Sequence, residues 1–252
     1  MLLRRITKHV SDQNWFAVFI DFLIVVVGVF IGIQVANWNA DLKDKSAYNA
    51  ALERFKVEVE LNIDSLEELH QELNKSIPLV TRGLDYLRTC DQSEDAKKAI
   101  ISAVNEMQFT RGVRIRTSSL KELTTNADLL LQQSSNERRT FQDLIYSLGI
   151  VQYESDYLEI KPMDNPIWAH SKLTVGQSET EVVNYKGNEW RFLKRALLLN
   201  APIEALCNDN GLRSQMYGWE RLQSALASMI TITIDDFKIV DSMLIEKNTG
   251  TN

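Results

Sequence analysis

Residues 16 to 36 read FAVFIDFLIVVVGVFIGIQVA, and only Asp21 and Gln34 interrupt the apolar run. Phe22 to Ile33 has no polar side chain at all. A helix rises about 1.5 Å per residue, so about 20 residues cross a hydrocarbon core of about 30 Å. Trp15 and Trp38 bracket the run 23 residues apart, or about 35 Å of helix, which suits aromatic anchors at the two interfaces. The expectation is a membrane-spanning helix at 16–38, after a basic segment at 1–15.

A basic stretch followed by an apolar one is also how a signal sequence begins. This run is long for a signal peptide, holds Asp21, and ends in VANWNA, which lacks a small-x-small cleavage pattern. An uncleaved anchor is therefore expected. Arg4, Arg5 and Lys8 precede the span, against Lys43 and Lys45 just after it. This bias favours an N-terminus in the cytoplasm. The corresponding address is a bacterial inner membrane, crossed once, with a periplasmic C-terminal domain.

The whole chain carries a net charge of −6. Arg4, Arg5 and Lys8 against Asp12 give the first 15 residues +2, so the remainder carries −8. An acidic domain lacks the basic footprint that displaces counterions, which argues against nucleic acid as a partner. Cys90 and Cys207 are the two cysteines. In an oxidising compartment they can close one long loop; two buried thiols are the alternative.

Gly and Pro are scarce, 10 and 4 in 252 residues, and helical periodicity dominates after the span. Tyr48, Leu52, Phe55, Val59, Ile63, Leu66, Leu69, Leu73 and Ile77 recur in steps of three and four. The stripe predicts a long juxtamembrane helix over 39–78, continuous with the span because nothing breaks it at Asn39–Lys45. Pro78 is expected to kink or restart it. Helices near 79–89, 94–108, 117–132 and 136–160 fill a helical region at 79–161. Pro162, Pro166, Gly176 and Gly187 punctuate the next segment, so 162–188 reads as a loop or short hairpin. C-terminal helices over 189–248, one at 189–206 and one from Leu212 to Ile245, pack on the same bundle. The fold class is mainly α: one N-terminal transmembrane helix and an amphipathic helical bundle.

Gly28 and Gly32 form a small-xxx-small pair that Ala36 extends by one turn. Such spacing lets two backbones approach where lipid offers no hydrophobic gradient. Asp21, seven residues before Gly28, points the same way, as does Asn39. Asp21 is either close enough to the interface for water to reach it, or an intramembrane group that carries a proton or meets a basic partner.

Catalysis has little support. The histidines are His9, His70 and His170, with no zinc-ligand spacing, no marked partners for a serine triad, and no phosphate-binding fingerprint. No metal and no cofactor are expected. Arg111, Arg114 and Arg116 could grip a carboxylate or phosphate, or form a solvated edge.

Two resemblances attach to these residues. Trp15-x-x-x-Phe19-x-Asp21-Phe22 resembles the start of the span in the peptidoglycan-anchored subunit of flagellar stators. Over those eight residues it implies a proton-carrying role for Asp21. The run Gly28 to Asn39, with Gln34, Asn37, Trp38 and Asn39 in register and Ala36 in place of an Asn, is similar to the signature of a large group of uncharacterised bacterial single-pass membrane proteins. Members continue into a helical region with a segment like SSLKELTTNADLLLQQSSNERRTFQDL. This likeness implies architecture and no reaction.

The functional expectation is a non-enzymatic, membrane-anchored interaction or scaffold protein. Its partners are the lipid bilayer and a second copy or another membrane protein, met through the Gly28–Gly32 face and the Tyr48–Ile77 stripe. The alternatives are a sensory module signalling through the membrane helix and a stator-like partner of an ion channel using Asp21.

Overall fold

Asn39–Lys45 contains no helix breaker, and in the computed structural model, which describes residues 15–185 and 187–249, the helix runs through it unbroken. This helix, α1 (Trp15–Thr89), is 75 residues long, or about 110 Å. Its first part is the one segment among the described residues long and apolar enough to cross a membrane, and none of that apolar window is buried. Covering begins at Tyr48, ten residues beyond Trp38.

From there the stripe predicted over Tyr48–Ile77 is used inside the chain. Tyr48, Leu52, Phe55, Val59, Leu66 and Leu73 are buried in a first core cluster. They meet Phe141, Leu144 and Leu148 of α5 (Ser135–Ile160) and Leu226, Ile230, Phe237 and Leu244 of α7 (Asn210–Thr249). Phe55 and Phe141 pack edge to face, 5.4 Å between centroids. A stripe satisfied in this way is not available to a second copy.

Pro78 does not start a new element as one reading expected, because α1 continues through it to Thr89. It falls where one cluster gives way to another. Ile77 touches both clusters, and Val80 and Leu87 continue into the second with Ile100, Ala103 and Val104 of α2 (Glu94–Glu106). Packing on either side holds the helix through the missing N–H, which a solvated helix would not survive as well. α1 and α2 cross closely at Gly83, where a Cβ would lie 2.5 Å from that of Ala103.

Local signals set the remaining helix ends. Ser93 caps α2 by accepting from Ala96 N–H. The helix expected at 117–132 is two, α3 (Ser118–Thr125) and α4 (Ala127–Gln132). Asn126 divides them by adopting an extended conformation and accepting from the N–H groups of Asp128 and Leu129. Ser134 and Glu137 form a reciprocal capping box at α5.

The largest correction lies at 162–206. Two short 3-10 turns, Lys161–Asp164 and Ile167–Ala169, lead into β1 (Leu173–Tyr185), which pairs antiparallel with β2 (Asn188–Leu199). The loop at 162–188 is thus half strand, and the helix at 189–206 is strand followed by the short α6 (Ile203–Cys207). Trp190, Leu193 and Leu197 have helical spacing, but the β-branched run Val182–Val183 pairs with Arg191 and Trp190, and Gly187 at φ +80° turns the chain. Only the base of the hairpin is buried, through Leu173 and Leu197. A bulge between Val175 and Ser178 contains Gly176, where a Cβ would lie 3.0 Å from Ala196 C=O.

Candidate functional site

The span comes first. Asp21, Gly28, Gly32, Ala36, Trp38 and Asn39 all lie on the uncovered part of α1, every one exposed. At about 100° per residue, Asp21, Gly28, Gly32 and Asn39 fall within a stripe about 40° wide, with Ala36 at its edge. A Cβ at Gly28 or Gly32 would meet nothing within 4 Å. No other segment of the described chain packs on this face. Trp15 opens the helix, but its side chain lies outside the described residues. So do Arg4, Arg5, Lys8, His9 and the rest of the basic segment.

The arginine cluster has a structural assignment. Arg111 meets Glu106 at 2.8 Å and Glu72 at 3.3 Å, and Arg114 meets Glu159 at 2.6 Å and Asp156 at 3.4 Å. Arg116 bonds the Leu61 carbonyl and Ser65 Oγ. These side chains strap an extended segment, Gly112–Thr117, to α1 and α5. The same segment is stitched from below. Asn62, 1% exposed, donates to Arg116 C=O at 2.8 Å and accepts from its N–H at 2.9 Å. Ser155 Oγ accepts from Val113 N–H at 2.6 Å. The buried Glu58 carboxylate accepts from the N–H groups of Ser119 and Leu120, capping α3 from α1 where Thr117 offers no side-chain cap.

His170 sits between Lys172 and Asp209. Its Nδ1 accepts from Lys172 N–H at 3.3 Å, which leaves Nε2 facing Asp209 at 3.5 Å. Asp209 also meets Lys172 Nζ at 3.1 Å and accepts from Leu212 N–H at the start of α7. That backbone bond, with Lys172 and His170 beside it, holds the Asp209 carboxyl below the usual aspartate range despite partial desolvation. Both imidazole nitrogens are occupied in tying the entry of β1 to α7. His70 is half-buried in a groove between α1 and α7, with Asn74 at 3.5 Å. Among the described residues, no three His, Cys, Asp or Glu side chains converge as a metal site would require.

Cys90 and Cys207 are bonded, with Cα atoms 5.4 Å apart and 117 positions between them. Cys90 ends α1 at φ 52°, and Asp91 N–H reaches back to Tyr86 C=O, a Schellman-type stop usually built on glycine. The bridge joins the distal end of α1 to α6.

Asn105 of α2 was not anticipated from the sequence. It donates to Leu197 C=O at 2.9 Å and accepts from Leu197 N–H at 2.8 Å, docking the hairpin base. Beyond that base the hairpin stands out with both edges unpaired and with Trp190, Phe192 and Leu193 exposed. Its signals in the sequence are the β-branched density of 174–183 and the turn glycine Gly187.

Comparison of this chain with family models, with curated proteins and with solved structures gives no match.

Proposed function

We propose that this protein is a membrane-anchored, non-enzymatic interaction protein. On this reading it self-associates, or meets another membrane protein, through the span. The observation that carries the reading is the continuity of α1: one helix supplies both the uncovered apolar segment and the central staves of the head. The second cluster begins at Val80, 42 residues past Trp38, or about 63 Å along the helix. The long helix holds the distal cluster and its hairpin well away from the bilayer, while the proximal cluster begins at Tyr48, close to the span.

With the Tyr48–Ile77 stripe occupied internally, the Gly28–Gly32–Ala36 face is the association surface that remains on α1. The disulfide supports placing the head in an oxidising compartment. This agrees with the charge bias toward a cytoplasmic N-terminus and a periplasmic head on a bacterial inner membrane. The sensory reading draws on the same continuity, since any displacement of the head is delivered directly to the span.

Crosslinking in native membranes tests self-association. A dimer band is expected that disappears in Gly28→Leu/Gly32→Leu. A band of equal strength in that variant, or its absence from the native chain, rules out the glycine face as a self-association surface. A C-terminal reporter active only in the periplasm tests orientation. The stator-like reading requires that Asp21→Asn abolish ion conduction while expression stays intact.

A further inference from the structure

A cleft of about 510 Å³ opens where the turns at 161–169 meet the first half of α7. This is within the usual size range of small-molecule sites, about 300–1,000 Å³. Trp219 and Ile167 are buried in its floor, and Trp168 and Tyr157 stand half-exposed at its mouth. We propose that this cleft binds a small, flat, largely aromatic molecule that carries one anionic group and one N–H or O–H donor.

Three observations lead there. The first is glycine placement. Gly218 lies inside a 40-residue helix, where glycine is less favourable than alanine. No close approach requires it, because a Cβ there would meet nothing within 4 Å. Its consequence is an open wall, since Gly218 lines the cleft and Gly211 lines it two turns earlier. A side chain at 218 would project into the space a ligand would occupy.

The second is an unanswered acceptor. Gln215 lines the cleft and donates from Nε2 to Asn165 C=O at 3.0 Å, which fixes the amide. Its Oε1 is then buried with no donor from the protein. A buried acceptor left unpaired is unfavourable, so a donor from a bound molecule would be rewarded.

The third is charge. Two cations line the cleft. Lys161 is paired with Asp164 at 2.6 Å, whereas Arg221 has no carboxylate partner among the described residues. A free guanidinium beside two aromatic rings suits an aromatic carboxylate or sulfonate: the rings stack and the anion is forked.

The test uses the purified full chain in detergent and indole-3-acetate as probe, which has a flat ring, an N–H and a carboxylate. Binding is followed by isothermal titration calorimetry and ligand-observed NMR. Saturable binding at one site is expected. Gly218→Leu should weaken it at least 50-fold, with the thermal midpoint unchanged or raised. Arg221→Ala should weaken indole-3-acetate about 10-fold and leave indole unchanged. Tryptamine, with the charge reversed, should bind at least 10-fold more weakly than indole-3-acetate. The absence of saturable binding overturns the proposal, as does undiminished binding by a folded Gly218→Leu protein. Equal binding of indole-3-acetate and tryptamine, insensitive to Arg221→Ala, overturns the anion assignment. Gly28→Leu/Gly32→Leu should leave binding unchanged, so failure of the self-association reading and failure of this one are distinguishable.

Discussion

The two core clusters strung along α1 use the same device in different settings. In the proximal cluster Asn62 clamps both the N–H and the C=O of Arg116; in the distal cluster Asn105 does the same to Leu197. A carboxamide matches one residue of extended backbone, donor to carbonyl and acceptor to amide. The surroundings differ. The Arg116 segment is also held by Ser155, Gln152 and the ion pairs of Arg114, and it is closed in between two long helices. The Leu197 strand belongs to a hairpin docked only at its base, and this region carries the disulfide instead. Where helices enclose the chain, side-chain hydrogen bonds suffice. In the distal cluster the end of α1 is tied covalently to α6, the short helix that follows the hairpin.

The largest effect expected from breaking this contrast is Phe55→Ala. It removes a fully buried ring from the proximal cluster and its edge-to-face partner contact with Phe141. A loss of about 3–5 kcal/mol is expected in chemical denaturation. Hydrogen exchange should show whether α2 and the hairpin base survive as a separate unit. If both clusters lose protection together, the head is one cooperative body and the contrast is only local.

Removing the bridge is next. Cys90→Ser should cost about 2–5 kcal/mol, because 117 positions of chain are released in the unfolded state. Protection should fall first in α6 and the end of α1, and last in α5. Cys90→Gly should be about 1 kcal/mol less damaging than Cys90→Ser, since glycine accepts the positive φ that serine does not. Equal midpoints for the two variants would show that the left-handed turn costs nothing here.

The two asparagines offer the sharpest comparison. Asn62→Leu should cost about 1–3 kcal/mol, since it removes a buried amide and leaves the Arg116 N–H and C=O without their partner. Asn105→Leu should cost less, because Asn105 is only half-buried where Asn62 is wholly buried. A reversed order would mean that the proximal straps compensate for the lost clamp.

The smallest effect is on acid stability. The Asp209 carboxyl is held low chiefly by Leu212 N–H, so its folded pKa lies below its unfolded value. Its stabilisation is therefore complete above about pH 4 and is lost as pH falls through the folded value. The Glu137 carboxyl of the proximal cluster is also held low. Burial opposes this, but the bonds from Lys247 and Ser134 outweigh it. Asp209→Asn should flatten the acid limb of a denaturation midpoint measured between pH 7 and pH 3, and Glu137→Gln should flatten it separately. An unchanged acid limb in Asp209→Asn would remove that residue from the pH dependence.

Much of the head was legible where the signal is local. The span, the Tyr48–Ile77 stripe and the helices at 94–106 and 135–160 follow from apolar periodicity, and Ser134 and Glu137 spell their capping box three residues apart. A short hairpin within 162–188 was one reading of the Pro and Gly punctuation, but its second strand was not legible. Trp190, Leu193 and Leu197 satisfy a helical spacing as well as a strand, and the choice rests on pairing with residues 173–185 and on Asn105, 92 positions from Leu197. Pro78 does not end the helix for the same reason, since its cost is set against packing on both sides of it. The arginines looked like a ligand grip because their carboxylate partners are up to 45 residues away in sequence.

By itself, the sequence determined the features that depend on neighbours within a turn or two: an apolar span of bilayer length, a helical head, and most of its caps. Tertiary structure decided what depends on distant segments meeting. It joined Cys90 to Cys207, used the long stripe within the chain, capped α3 with Glu58, and turned 173–199 into a hairpin. The physical reason is the range of the forces involved. Periodicity and capping act over about four residues, so a local reading captures them. Burial, crosslinking and backbone pairing depend on which surfaces come together, and only the folded chain specifies that.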